Sequence, residues 1–102
     1  MSKDTLSILR KGLERLQRRG GWTKGYFAYN ERMDRVPSRA PEAVCWCAAG
    51  AIDCDDASMT ELQATLGKHR SVVEFNDRQR DKRPVIRLYQ RTIARLEKAG
   101  SE

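Results

Sequence analysis

The chain has 102 residues, of which 20 are Lys or Arg and 14 are Asp or Glu, so its net charge is +6 at neutral pH. This length allows one domain with one core, which we assign to residues 1–102, and it needs neither a metal nor disulfides to fold. No apolar run is long enough to span a bilayer. Three cysteines fit a reducing compartment better than a disulfide framework, so we expect a cytoplasmic protein.

The basic charge is segregated along the chain. Residues 40–67 contain five acidic residues and no Lys or Arg, which leaves 20 basic residues against nine acidic ones elsewhere. Such blocks attract acidic partners through long-range electrostatics. The pattern predicts an acidic partner, but it does not choose among nucleic acid, anionic lipid and an acidic protein surface.

An amphipathic helix is predicted near the start, because leucines recur at three- and four-residue spacing from Leu6 to Leu16. Two successive glycines, Gly20 and Gly21, favour the left-handed conformation that ends a helix. Residues 22–40 then form a long predicted connection that holds four of the seven aromatic residues. We expect this aromatic loop to pack onto the core, because its composition argues against disorder.

Residues 43–54 are the most apolar stretch of the chain, since eleven of these twelve residues are apolar or glycine. A helix that is apolar on every side is a buried helix. We therefore predict a central helix over residues 41–54, with Pro41 and Glu42 in its first turn. Small residues recur along it at helical spacing, which favours close packing of another helix: Cys47, Gly50, Ala51 and Cys54.

Three further helices are predicted in the second half. Ser58 with Glu61, and Ser71 with Glu74, match the capping box in which a hydroxyl and a carboxylate satisfy free backbone donors. The last helix is predicted over residues 82–99, with Pro84 in its first turn. The predicted fold class is all-α, a compact domain of about five helices with a central apolar helix and a long aromatic loop.

Several motifs along the chain are distinctive in combination. They are Trp22-Thr-Lys-Gly25, Cys45-Trp-Cys47 followed by Gly50-Ala51, and Phe75-Asn-Asp77. In these motifs the chain resembles an uncharacterised family of small bacterial and bacteriophage proteins, catalogued only as a domain of unknown function. The resemblance implies a compact, mainly helical domain in a bacterial or phage setting. It implies no activity, catalytic residue or cofactor.

The cysteines and the acidic cluster are weak candidates for chemistry. Cys45, Cys47, Cys54 and His69 could together complete a zinc site. In a helix, however, Cys45 and Cys47 would point about 200° apart, and cysteine is commonly buried as a small apolar side chain. Asp53, Asp55 and Asp56 could bind a metal, raise a nearby thiol pKa or simply cap two helices. We favour structural roles and predict no catalytic, cofactor-binding or metal-binding residue.

Arginines recur at four-residue intervals along the last predicted helix, at Arg83, Arg87, Arg91 and Arg95. On a helix this spacing forms one basic ridge. The first helix adds further basic residues at Lys11, Arg15 and Arg18. We therefore predict a non-enzymatic binding module that engages nucleic acid or protein through this basic face. A face that is only solvated is the competing interpretation.

A ligand pocket is the alternative function. Trp22 and Tyr26 in the loop of residues 22–30, with Asn76 and Asp77 in a later turn, could line a pocket for a small ligand or nucleotide. The protein would then be a ligand-binding protein or a small enzyme. Asp77 is equally well explained as a turn or cap residue. The sequence leaves the oligomeric state open.

Overall fold

A computed structural model describes residues 3–100, beginning with helix α1 at Lys3–Gln17. Leu9 and Leu16 are fully buried on one face of this helix, as its leucine spacing predicts. Gly12 lies on the same face, where an added Cβ would come within 2.7 Å of Ile52 Cγ2 and 2.9 Å of Tyr89 Cε2. Glycine here lets α1 approach the core closely. Beyond the helix, Gly20 has a φ of +69°, which confirms the predicted stop.

The aromatic loop contributes a strand to a small sheet. Strand β1, Ala28–Tyr29, pairs antiparallel with β2, Cys45–Trp46. The register places Ala28 opposite Trp46 and Tyr29 opposite Cys45. Ala28 is fully buried, so this part of the loop packs onto the core as expected. The prediction of an all-α fold is corrected to a mostly helical fold that includes this sheet.

The central apolar helix predicted over residues 41–54 is wrong. This segment contains strand β2 and then a short 3₁₀ helix, Gly50–Ile52. An added Cβ on Gly50 would lie 2.0 Å from the carbonyl oxygen of Phe27, so the 3₁₀ helix packs directly against the aromatic loop. Periodicity cannot distinguish a buried helix from a fully buried strand and turn when every residue is apolar. Residues 45–52 are nevertheless buried, as the apolar composition predicts.

Helix α2 covers Asp56–Leu66 and helix α3 covers Val72–Asp77. Ser71 caps α3 by accepting a hydrogen bond from the Glu74 backbone N–H, as the capping-box pattern predicts. The cap of α2 is Asp55 rather than Ser58, because its carboxylate accepts from both the backbone N–H and the hydroxyl of Ser58. The capping-box prediction therefore located α2 correctly and misplaced its first residue.

Helix α4, Arg83–Gly100, packs antiparallel to α1 and also contacts α2. Lys82 Nζ, just before α4, donates to the carbonyl of Arg18 after α1, whereas Glu97 near the end of α4 pairs with Arg10. Four α-helices thus occur within residues 3–100, not about five. None of the helices in this range has the length and apolar character needed to cross a membrane.

The core lies where α1, α4, α2 and the apolar segment meet. Tyr89 is fully buried at its centre, and its hydroxyl donates to the carbonyl of Ala48. Burial raises the pKa of Tyr89 well above its ordinary value, so this hydroxyl stays protonated and serves as a hydrogen-bond donor. The buried face of α4 leaves the arginine positions on the opposite side of the helix.

Candidate binding surface

The four predicted ridge arginines are all exposed on the outer face of α4. The buried residues of this helix lie on the other side: Val85, Leu88, Tyr89, Thr92 and Ile93. An i+4 spacing places consecutive arginines about one helical turn apart. The structure therefore places Arg83, Arg87, Arg91 and Arg95 along one surface, as their spacing predicts.

The two ends of this ridge are paired within the molecule. Arg83 binds Asp81 with Nε to Oδ1 and Nη2 to Oδ2, both at 3.0 Å. Hydrogen bonds from Arg83 lower the pKa of Asp81 to about 2, so this carboxylate stays charged near neutral pH. Arg95 Nη2 binds Glu61 Oε1 of α2 at 3.0 Å and also the Glu61 carbonyl. These two arginines are partly neutralised by their partners.

The two central arginines are different. Within residues 3–100, neither the Arg87 nor the Arg91 side chain forms a hydrogen bond or an ion pair, although the charge of Arg87 helps to lower the pKa of Asp81. Both line a groove of about 230 Å³ between the end of α2, α3 and the first half of α4. We call this the apolar groove; its lining residues are Thr65, Leu66, Phe75, Pro84, Arg87, Leu88 and Arg91. No carboxylate is among them, so the charged residues of its lining are both positive.

Arg15 of α1 serves the fold rather than the ridge. Its Nη1 donates to the carbonyl of Ala51 at 3.2 Å and to Asp53 Oδ1 at 3.1 Å, and its guanidinium lies 4.7 Å from the centre of the Trp46 ring. A cation at the end of the 3₁₀ helix also complements the partial negative charge of its carbonyls. Arg18 lies over the same ring at 5.6 Å. Arg15 and Arg18 thus contact the apolar segment, whereas Lys11 is exposed.

Asp53 is the centre of a cluster that sequence reasoning missed. Its Oδ1 accepts a hydrogen bond from Ser38 Oγ at 2.7 Å as well as from Arg15, and Arg39 Nε lies 3.5 Å from its Oδ2. Burial opposes ionisation of Asp53, but these hydrogen bonds and the charges of both arginines lower its pKa below the ordinary value. Asp53 also has a left-handed φ of +52°. Its partners are distant in sequence, so only the tolerance of Asp for this conformation was a local signal.

Three of the four predicted pocket residues do meet in space. Asn76 is fully buried, and its Oδ1 accepts from Trp22 Nε1 at 2.8 Å and from the Ala48 N–H at 3.0 Å. Its Nδ2 donates to the Thr23 carbonyl and to Asp77 Oδ1, both at 3.2 Å. A side-chain amide has two donor and two acceptor positions. Asn76 therefore uses its whole hydrogen-bonding capacity to hold the loop against α3.

Asp77 has a further contact in the loop, and Tyr26 is the pocket candidate that does not join the other three. Asp77 Oδ1 also accepts from the backbone N–H of Gly25 at 3.1 Å. Tyr26 packs within its own loop: its ring lies 5.5 Å from that of Phe27 in an edge-to-face arrangement, and the Arg35 guanidinium lies 4.8 Å above it. Tyr26 therefore makes its described contacts within the loop rather than with Asn76.

The cysteines show no arrangement for metal or thiol chemistry. Cys45 and Cys47 are buried and Cys54 is exposed, and all three are free thiols. Among residues 3–100, no group of three or more His, Cys, Asp or Glu side chains could hold a metal ion. Burial raises the pKa of Cys47, and burial together with the Asp53 charge raises the pKa of Cys54. A reactive thiol needs the opposite shift.

The motifs that suggested a family relationship also shape this structure, since Trp22, Asn76 and Gly50 each make a close contact described above. The sequence profile of a family of unknown function, DUF6197, matches residues 1–95. The chain belongs to this family. No curated protein and no solved structure matches the chain significantly. Membership of DUF6197 agrees with the resemblance inferred from the motifs, while the bacterial or bacteriophage setting stays a prediction.

Proposed function

We propose that this protein is a non-enzymatic binding module that holds an acidic partner against the outer face of α4. The observation that carries the proposal is the pair of exposed arginines, Arg87 and Arg91, whose side chains form no hydrogen bond or ion pair within residues 3–100. Neighbouring like charges on a helix cost stability, by about 0.2–0.5 kcal/mol per pair. Arg87 and Arg91 are therefore better explained by binding than by folding.

The other predicted basic residues contribute unequally to the proposed surface. Arg83 and Arg95 lie at its two ends, where they can still interact with a partner while bound to Asp81 and Glu61. Arg15 is held inside the molecule, so we assign it no contact with the partner. Lys11 and Arg18 contribute through the long-range field that guides an anionic partner to the protein.

The hydrogen bonds of Asn76 weigh against the alternative of a ligand pocket beside the aromatic loop. A ligand there would have to replace four hydrogen bonds that the protein already makes. Leaving such buried groups unpaired costs about 1–3 kcal/mol each. We therefore favour the binding module over the ligand pocket.

The experiment that tests the proposal compares two double variants with the same change in net charge. Arg87→Glu with Arg91→Glu reverses the proposed surface, whereas Arg19→Glu with Arg32→Glu reverses two exposed arginines that belong neither to the ridge nor to the groove lining. The probes are a fluorescent polyglutamate peptide and a fluorescent single-stranded oligonucleotide, titrated by anisotropy at about 50 and about 200 mM salt. Circular dichroism checks that each variant folds.

We expect the first double variant to lose at least about tenfold in affinity for a probe, equivalent to about 1.4 kcal/mol. The control should lose no more than about threefold, because it changes only the long-range field. Equal losses in the two variants would show that net charge alone drives binding. In that case the proposed surface has no specific role.

A further inference from the structure

The apolar groove has the size of a site for one side chain. Its volume is about 230 Å³. A cavity of about 150 Å³ accepts a benzene ring, whereas pockets for small-molecule ligands and cofactors span about 300–1,000 Å³. The groove is therefore large enough for a phenylalanine, leucine or tryptophan side chain and small for a nucleotide.

Four of the seven residues that line the groove are apolar. Leu66 closes it from the end of α2, Phe75 from α3, and Pro84 and Leu88 from α4. Thr65 is the polar uncharged residue of the lining, and its hydroxyl already donates to the Glu61 carbonyl. An inserted apolar side chain would consequently contact apolar residues from three helices.

The charged residues of the groove indicate which groups of a partner would lie beside the inserted side chain. Arg87 and Arg91 are the charged residues of the lining, and no acid accompanies them. Guanidinium groups form strong paired hydrogen bonds with carboxylates. Nucleic-acid binding, by contrast, gains its affinity from many cations that follow a phosphate backbone. Because Arg83 and Arg95 are already paired, Arg87 and Arg91 are the two ridge arginines without an ion pair, and both line the groove.

We propose that the apolar groove binds an acidic segment of a partner protein, which inserts one apolar side chain while its flanking carboxylates pair with Arg87 and Arg91. This inference rests on the proposed function and names the class of its partner. A central apolar anchor surrounded by charged contacts is a common arrangement in protein interfaces.

The test uses two labelled peptides of equal charge. In the first peptide a single phenylalanine is flanked on each side by two glutamates, and in the second peptide serine replaces the phenylalanine. Each is titrated by anisotropy against the wild-type protein, the Arg87→Glu and Arg91→Glu double variant, and Leu66→Lys. A single-stranded oligonucleotide of similar charge is the third probe. Leu66→Lys places a cation in the groove, so it opposes insertion of an apolar side chain and favours binding of any polyanion.

We expect the phenylalanine peptide to bind the wild-type protein about tenfold to hundredfold more tightly than the serine peptide, as burial of one aromatic side chain provides. Leu66→Lys should remove most of this difference, and the double variant should lose both peptides. Should Leu66→Lys fail to fold, the comparison of the two peptides on the wild-type protein decides the question by itself.

The remaining outcomes separate this inference from the proposed function. Equal affinity for both peptides, lost in the double variant, would overturn insertion into the groove and leave the basic surface standing. Tight binding of the oligonucleotide alone would overturn the protein partner in favour of nucleic acid. Binding of every probe that is insensitive to the double variant would overturn both proposals.

Discussion

Replacing Asn76 with alanine removes the acceptor of two hydrogen bonds and the donor of two more. Ala48 is fully buried, so its backbone N–H would lose its acceptor where water has poor access. Trp22 Nε1 would lose its acceptor as well, and the Thr23 carbonyl and the Asp77 carboxylate would lose a donor. Asp77 is exposed and can bind water instead.

The magnitude follows from the two donors and the buried volume that is vacated. A buried group left without a partner costs about 1–3 kcal/mol, and water entering the space left by the amide would recover part of this loss. We expect Asn76→Ala to reduce the free energy of unfolding by about 3–5 kcal/mol. Domains of this size lose about 4–8 °C in Tm per kcal/mol, so Tm should fall by at least about 12 °C.

Asn30→Ala is the matched control, measured by urea and thermal unfolding beside Asn76→Ala and the wild type. The Asn30 Oδ1 also accepts two backbone hydrogen bonds, from Arg32 at 2.9 Å and Asp34 at 3.0 Å, but in an exposed turn where water can replace it. Asn30→Ala should lower the free energy of unfolding by no more than about 1 kcal/mol. A similarly small loss of unfolding free energy for Asn76→Ala would refute the structural role of Asn76. Its polar atoms would then be available to a ligand, as the pocket alternative requires.

Three further outcomes follow from close contacts. Gly50→Ala should cost about 3 kcal/mol or more in urea unfolding, because its Cβ would lie 2.0 Å from the Phe27 carbonyl oxygen; Gly100→Ala, with nothing within 4 Å, is the control. Asp53→Asn should cost about 1–3 kcal/mol at pH 7. Because folding lowers the Asp53 pKa, that difference should shrink as the pH falls below about 4, the ordinary carboxyl pKa, and vanish below the lowered pKa of the folded protein; a difference that does not shrink with falling pH would contradict the assignment. Cys54 alone should react with a thiol reagent in the native state, because the other two cysteines are buried.

The helices could be predicted largely from local pattern. Leucine spacing located α1, the hydroxyl of Ser71 located α3, and Pro84 correctly marked the first turn of α4. Each of these signals acts within one or two helical turns, so the neighbouring sequence contains all the information needed. The start of α2 was misplaced by three residues, because Asp55 and Ser58 are both suitable N-cap residues and Asp55 is the one that caps the helix.

The apolar segment could not be predicted in the same way. Its conformation depends on pairing of Trp46 with Ala28 and on packing of Gly50 against Phe27, and both contacts join residues far apart in sequence. Ten apolar or glycine residues in succession, residues 43–52, provide no polar face, so no period distinguishes helix from strand. The packing of the rest of the fold decides the conformation there.

The position of the candidate surface could be predicted from the sequence, but the full set of ion pairs of its arginines and the groove beside them could not. The four-residue spacing placed the ridge on α4, and Asp81 is close enough in sequence to be recognised as the partner of Arg83. Glu61 is 34 residues from Arg95, so its pairing depends on how α2 packs against α4. The apolar groove likewise exists only because three helices meet. The sequence therefore predicted the ridge, while the folded structure determines which of its arginines remain unpaired.

The two central arginines of the ridge, Arg87 and Arg91, differ from the arginines that form ion pairs. Six arginines within residues 3–100 have carboxylate partners, including Arg10 with Glu97 and Arg78 with Glu74. Exposed pairs of this kind contribute little to stability, about 0–1 kcal/mol each, so pairing is not a requirement of folding. Arg87 and Arg91 form no such pair, and both lie beside the apolar groove. A surface that is only solvated would not need free charge and exposed apolar area at the same place, whereas an anchor for an acidic segment requires both.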